Sequence, residues 1–370
     1  MRNIELYKPD FDKKEIKSVS KILNSGWITN GLITKKFEKK IQIKLKVKNA
    51  IAVNSCTSGI NVVLSCFNLK KGDEVITTLV TFISTIHTLF YLGLKIKFID
   101  IDKKNLSMDL NQLKKNISKK TKLVLVNHYG GIPSNIEEII SICKKNNIYL
   151  LEDAATAFGA KFNNKFIGSF NYSTSIFSFQ ANKIITTGEG GVITTNNDTL
   201  AKEIRKKIFN GFFNNDIVCH GFKYNFTDIQ ASLGLIQLSK LNKFIRYRTK
   251  LRLLYDQELK ILEKKNLISL YKKDKNIHCS EYIYTIVIND KYGFKRQKLI
   301  NFLKKNYIQT RIHYTTANMT KFYKKKISYK NINNSIYVSK NILSLPFHNS
   351  LKEKDIKRIC GCIKKFFGIL

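Results

Sequence analysis

Seven short β-rich runs, each parted from the next by a stretch of different character, limit most strongly what this chain can fold into. They are AIAVNS (50–55), EVITT (74–78), IKFIDID (96–102), KLVLVNH (122–128), IYLLEDA (148–154), SIFSF (175–179) and GVITT (191–195). Between them, segments such as SGINVVLSCFNLKKG (58–72) and IEEIISICKKNN (136–147) space their apolar residues as a helix does, and the first closes on a Lys-Lys-Gly stop. Such alternation predicts an α/β fold with a mostly parallel sheet covered by helices. Each strand then delivers its carboxyl end to a helix start, the edge where open α/β sheets bind ligands.

One run invites a different interpretation. Ile76 to Leu94 has no Asp, Glu, Lys or Arg and is long enough to span a bilayer. Its hydroxyl residues, Thr77, Thr78, Thr81, Ser84, Thr85 and Thr88, together with His87, fit a buried strand, a polar loop and a sheet-packed helix instead. Beyond about Gln230 comes a long Lys/Arg-studded helical stretch (233–262). After it, EYIYTIVIND (281–290) and YIQTRIHY (307–314) predict strands, with helices over Gln297–Lys305 and Lys352–Phe367. The expected division is a large domain over 1–240, then a linking helix and a smaller C-terminal α/β domain over 241–370.

Basic residues exceed acidic ones by 65 − 27 = 38. The lysines are spread along the chain beside Asn and Ile rather than clustered, so we read them as solvated faces and do not expect nucleic acid as a partner. Seven cysteines, an odd number without zinc-ligand spacing, fit a reducing compartment and predict no metal site. The start, MRNIELYKPDFDKKEIK, has no apolar leader. A cytoplasmic location without membrane insertion is the expectation.

Three strand ends carry candidate chemistry. Asn54-Ser55-Cys56-Thr57-Ser58-Gly59 follows a strand and opens a helix, offering free N–H groups and a positive dipole end to a phosphate, or simply an ordinary N-cap. Asp153 closes a strand where a carboxylate can face the cleft and hold a cationic nitrogen, or cap a helix. Lys183 lies on the connection from SIFSF to the turn Gly188-Glu189-Gly190-Gly191, where desolvation would make its amine nucleophilic; among so many lysines a surface role is the default for any single one. The glycines match neither a dinucleotide fingerprint nor a Walker loop. Phosphate seat, carboxylate and lysine together are the set that pyridoxal phosphate requires: an amine for its aldehyde, an acid for its ring nitrogen, and donors for its phosphate.

With these residues in view, the chain resembles the DegT/DnrJ/StrS sugar aminotransferases. The resemblance is carried by SGWITNG (25–31), NSCTSG (54–59), GDEVITTLVTFISTIHTLFYLG (72–93), HYGGIP (128–133), LEDAATAFG (151–159), IFSFQANKIITTGEGGVITTN (176–196) and YNFTDIQASLG (224–234). It implies the aspartate-aminotransferase-like fold, pyridoxal phosphate fold type I, with pyridoxamine phosphate as the alternate cofactor form. By that resemblance Lys183 would bond the cofactor aldehyde and shuttle a proton, and Asp153 would pair with the ring nitrogen. Thr57, Ser58 and Ser178 would hold the phosphate, and Phe82 would stack on the ring. Thr156 stands where relatives carry Gln or His near the phenolic oxygen, so its shorter hydroxyl would need a water to reach. Lys223 takes a position often held by Asn, with Asn225 close by; either would reach the phosphate from the neighbouring subunit of a homodimer with shared sites. Trp27, Thr29, His128, His313 and Tyr314 sit in motifs that line the substrate cleft of relatives.

RIHY and SLPFH (344–348) look most like members that aminate carbon 4 of a nucleotide-linked 4-keto-6-deoxy sugar, with L-glutamate as donor, for bacterial surface polysaccharide. Asn318 stands where one such member, the lipid A 4-amino-arabinose enzyme, carries His, which argues against the same sugar here. Family dehydratases have histidine where this chain has Lys183, so transamination is the expected reaction. Amination at carbon 3, or a non-catalytic polyanion-binding protein on the same fold, are the alternatives.

Overall fold

The computed structural model describes residues 2–271, 274–290 and 293–369. All seven β-rich runs join one sheet: β1 Asn49–Val53, β2 Glu74–Thr78, β3 Lys95–Ile99, β4 Thr121–Asn127, β5 Tyr149–Asp153, β6 Thr174–Ser178 and β7 Gly191–Thr195, in the order β1-β7-β6-β5-β4-β2-β3. Six strands are parallel. GVITT, the run of β7, is the exception, antiparallel to both β1 and β6. This reversal has a chemical consequence: the 179–190 connection leaves and re-enters the sheet at the same edge, so Lys183 is anchored there from both sides.

Apolar residues on both faces of the strands explain why the sheet is covered twice. On one side Ile51, Val53, Leu125 and Ile176 pack against α3 (Cys56–Cys66). Gly59 of that helix sits so near β6 that a methyl there would stand 2.8 Å from the Ile176 side chain. On the other side Ala52, Val124, Leu150 and Phe177 meet residues of α2 (Leu32–Leu45), α6 (Ile136–Lys145) and α8 (Asp228–Lys264). The charge-free run resolves into β2, a loop and α4 (Ile83–Tyr91). No described helix is long and apolar enough to cross a membrane.

The predicted linking helix is α8, 37 residues long and opened by a Thr227–Gln230 capping box. Leu241 and Phe244 lie in the core of the large sheet, whereas Leu251, Tyr255, Leu259 and Leu262 lie in a second core. That second core is built on a three-stranded antiparallel sheet, β8 Ile268–Leu270, β9 Tyr284–Ile288 and β10 Ile342–Leu345, covered by α9 (Phe294–Lys305) and α11 (Glu353–Phe366). YIQTRIHY does not form the expected strand. It makes only single bridges, Ile308 with Ile4 and Arg311 with Ser344, and β10 takes the place beside β9. The first residues act as a strap: Ile4 is buried in the second core, and the Leu6 carbonyl accepts the Phe347 N–H at 3.1 Å.

Candidate active site

The carboxyl edge of the large sheet and the 311–314 segment enclose a cavity of about 410 Å³. Lys183, Asp153, Thr57, Phe82, Thr156, Ser178, His313 and Tyr314, eight of the residues named from sequence, line it.

Helix α3 begins at the cavity wall. Ser55 is its N-cap, its Oγ accepting the Ser58 N–H at 3.0 Å and meeting the Ser58 Oγ at 2.7 Å. Ser58 is thus tied to the cap, and exposed Thr57 faces the cavity. Among the described residues no protein acceptor takes the N–H groups of Cys56 or Thr57, the orphan donors of a first helical turn. Gly191 lets β7 approach this turn: a Cβ there would stand 2.8 Å from the Cys56 nitrogen and 2.9 Å from the Phe177 carbonyl oxygen, both rigid backbone. Donors, positive helix end and the nearby Ser178 hydroxyl form a cradle suited to a dianionic phosphate.

Asp153, at the end of β5, is 4% exposed. Its Oδ2 accepts the Thr85 hydroxyl at 2.6 Å and the Asn127 amide at 3.4 Å, and its Oδ1 accepts the Ala155 N–H at 3.2 Å. Three donors thus fix the orientation of this carboxylate at the cavity wall, where it can meet a cationic nitrogen. Lys183 is half-buried; its Nζ lies 3.5 Å from the Tyr282 hydroxyl and 4.5 Å from the centre of that ring. Phe82 presents a half-exposed ring, edge-on to Tyr314 at 5.8 Å between centroids. Donors for a phosphate, a carboxylate group, an amine and an aromatic face therefore border one space, and they fit pyridoxal phosphate.

His313 is buried at the cavity wall with Nδ1 2.8 Å from the Ser344 Oγ. Burial, reinforced by the positive charges of Arg311 and Lys183, pushes its pKa down to about 3, so the ring is neutral at physiological pH. Burial also pushes the Tyr314 hydroxyl well above its ordinary value, keeping it protonated.

Other expected contacts lie elsewhere. His128 is fully buried beneath the site: its ring is 2.7 Å from Glu152 and accepts the Ser134 N–H at 3.0 Å, which corrects the expectation that it lines the cleft. The Thr156 hydroxyl is committed to the same turn, donating to the His128 carbonyl at 2.8 Å and accepting the Gly131 N–H at 3.0 Å. Trp27 and Thr29 are not in the cavity lining. Trp27 is 60% exposed with its indole N–H on the Asn30 carbonyl, and the Thr29 carbonyl accepts the Asp228 N–H that begins α8. Lys223 and Asn225 run alongside the end of β1, where the Tyr224 carbonyl accepts the Asn54 N–H at 2.9 Å, and neither reaches the cavity of its own chain.

Sequence reasoning passed over Tyr7, Asn127, Gln180, Asn182, Tyr282 and Arg311, all of which line the cavity. Asn127 ends a predicted strand and Gln180 and Asn182 flank Lys183, so position signalled them. Tyr7 and Tyr282 arrive from remote segments with no local mark.

Residues 9–364 match the model of the DegT/DnrJ/EryC1/StrS aminotransferase family. The spore coat polysaccharide biosynthesis protein SpsC of Bacillus subtilis is 32% identical, over 96% of this chain and 95% of its own. Among solved structures, Helicobacter pylori PseC, an aminotransferase involved in the biosynthesis of pseudoaminic acid, superposes with a TM-score of 0.91 at 27% identity, with both chains covered completely. The putative sugar aminotransferase Spr1654 of Streptococcus pneumoniae, solved in its PLP form, gives 0.92 at 25% identity, again over the whole of both chains.

Proposed function

Because this chain belongs to the DegT/DnrJ/EryC1/StrS aminotransferase family and is a pyridoxal-phosphate-dependent sugar aminotransferase, we propose that it carries an amino group from L-glutamate to the C4 keto carbon of a nucleotide-linked 4-keto-6-deoxy sugar. The product would serve a bacterial surface polysaccharide, and the work would be done by a cytoplasmic homodimer. One observation carries this reading: Asp153 at the end of β5 and Lys183 on the 179–190 connection line a single cavity together with the open first turn of α3.

Each residue then has a task. Lys183 would hold the cofactor through its aldehyde, and its amine, when free, would take the α-proton of the amino donor. Asp153, oriented by Thr85 and Asn127, would pair with the ring nitrogen. When bound, the cofactor supplies an electron sink for the carbanion that loss of that proton creates. The free N–H groups of α3, with Thr57, Ser58 and Ser178, hold the phosphate. Phe82 packs on the ring face. Thr156 acts through the 128–131 turn rather than by direct contact. Neutral His313 and protonated Tyr314 are suited to hydrogen-bond sugar hydroxyls. Lys223 and Asn225 are assigned to the partner's cavity, in keeping with their absence from the lining of the cavity of their own chain.

The test starts from the pyridoxamine form, offered a panel of nucleotide-linked 4-keto and 3-keto sugars. Return of the cofactor absorbance with a 4-keto sugar is expected; return with 3-keto sugars alone would reassign the position. Failure of borohydride to fix the cofactor on Lys183 would remove the whole assignment.

A further inference from the structure

We propose that Tyr282 is the resting point of the Lys183 amine whenever that amine is free of the cofactor, and that by holding Nζ beside the reaction centre it sets the rate of α-proton transfer. The inference rests on the aminotransferase reading above and adds a residue to it. Two contacts made by one side chain support it. The Tyr282 oxygen is 3.5 Å from Nζ, and the ring centre is 4.5 Å from the same atom. Both are made by a residue that is 3% exposed and lines the cavity.

The surroundings show that this ring is held in place. Arg248, 3% exposed on α8, donates from Nη1 to the carbonyls of Glu281 and Tyr282 at 3.3 and 3.1 Å and from Nε to Asn349 at 3.1 Å. Arg252 closes the other side with a 2.6 Å ion pair to the Glu281 carboxylate. Glu281 itself has a φ of +58°, a left-handed conformation that is uncommon for a side chain of this kind. Burying guanidinium groups is costly, and here two of them converge on one two-residue corner. Arg248 finds only neutral acceptors there, and burial lowers its pKa to about 10.

The nature of the contact matters as much as its position. Among the described residues no carboxylate lies within ion-pair distance of Lys183. A carboxylate would grip the ammonium that forms when the C–H bond of the donor breaks and the proton moves to Nζ. A ring face gives a preference of roughly two- to thirtyfold, enough to keep the cation close and small enough to release it for the return step.

The experiment uses holoenzyme converted to the pyridoxamine form with L-glutamate, in wild type, Tyr282→Phe and Tyr282→Leu. Acylation of Lys183 in that form, followed by peptide mass spectrometry, reads the freedom of the amine without turnover. We expect about two- to fourfold faster labelling in Tyr282→Phe, which loses only the hydroxyl, and about tenfold in Tyr282→Leu. In single-turnover reactions of the aldehyde form with L-glutamate, Tyr282→Leu should be about tenfold slower, with a larger isotope effect from 2-deuterated glutamate and unchanged donor affinity. A structural role would reduce cofactor content or affinity and leave the isotope effect alone. Equal losses in the Phe and Leu variants, or an unchanged isotope effect in Tyr282→Leu, would overturn the proposal. Should the Leu variant not fold, equal labelling of Tyr282→Phe and wild type overturns it. If wild type fixes no cofactor at Lys183, the underlying function fails instead.

Discussion

Lowering the pH from 8 to 5 should remove about 4 kcal/mol of stability through two histidines alone. His313 is held to about 3 by burial, Arg311 and Lys183, and His348 to about 4 by burial and the charge of Arg248, both from an ordinary 6.5. Below 6.5 the unfolded chain takes up a proton at each site while the folded chain does not, so stability falls as pH drops through that window. At pH 5, 1.5 pH units below the ordinary value, each site contributes about 2 kcal/mol of loss. Urea unfolding at pH 8 and pH 5 measures the sum. His348→Gln isolates one half, because its ring reaches only the Glu5 carbonyl at 3.2 Å and lies outside the cavity lining. The variant should lose about 2 kcal/mol less than wild type between the two pH values. An equal loss in both proteins, or a ¹³C-labelled imidazole at either position titrating near 6.5, would refute the reasoning.

Lys183→Ala should abolish turnover and the borohydride-fixed adduct while leaving the circular dichroism of the fold intact. Thr85→Val deletes a 2.6 Å bond to the buried Asp153 carboxylate; a lost bond to a charged acceptor is worth about 1.5–3 kcal/mol, so cofactor affinity should fall by roughly ten- to a hundredfold in an absorbance titration. Gly191→Ala places a methyl 2.8 Å from the Cys56 nitrogen, and the forced shift of the α3 terminus should cost about 1–3 kcal/mol in thermal unfolding and weaken phosphate binding as well.

The large sheet was legible because its strands are apolar on both faces and each is followed by a turn signal, so composition and periodicity agree. What the pattern did not carry was direction: GVITT has the composition of its parallel neighbours, and only the return of the chain to the same edge makes β7 antiparallel. YIQTRIHY has β-forming residues too, yet it makes only two isolated bridges, one to Ile4 and one to Ser344, while β10 pairs with β9. In the site, Asp153 and Lys183 were readable since local sequence places them at strand ends. Tyr7, Tyr282 and Arg311 were not, because their place in the cavity depends on the packing of the second core against the first. His128 shows the opposite failure. An imidazole in a cleft motif turned out to satisfy the buried Glu152, a pairing that no linear spacing reveals.

The strap formed by the first residues bears on the order in which the protein can be completed. Ile4 and Leu6 are made about 300 to 340 residues ahead of their partners Ile308 and Phe347. At about 5–20 residues per second that is a wait of roughly 15 to 70 s. During that interval the large sheet can assemble without them, while the opening segment stays unclaimed. Tyr7, which follows directly on the strap, is thereby tied to the closing of the smaller core, and the cavity gains this wall only when that core has formed.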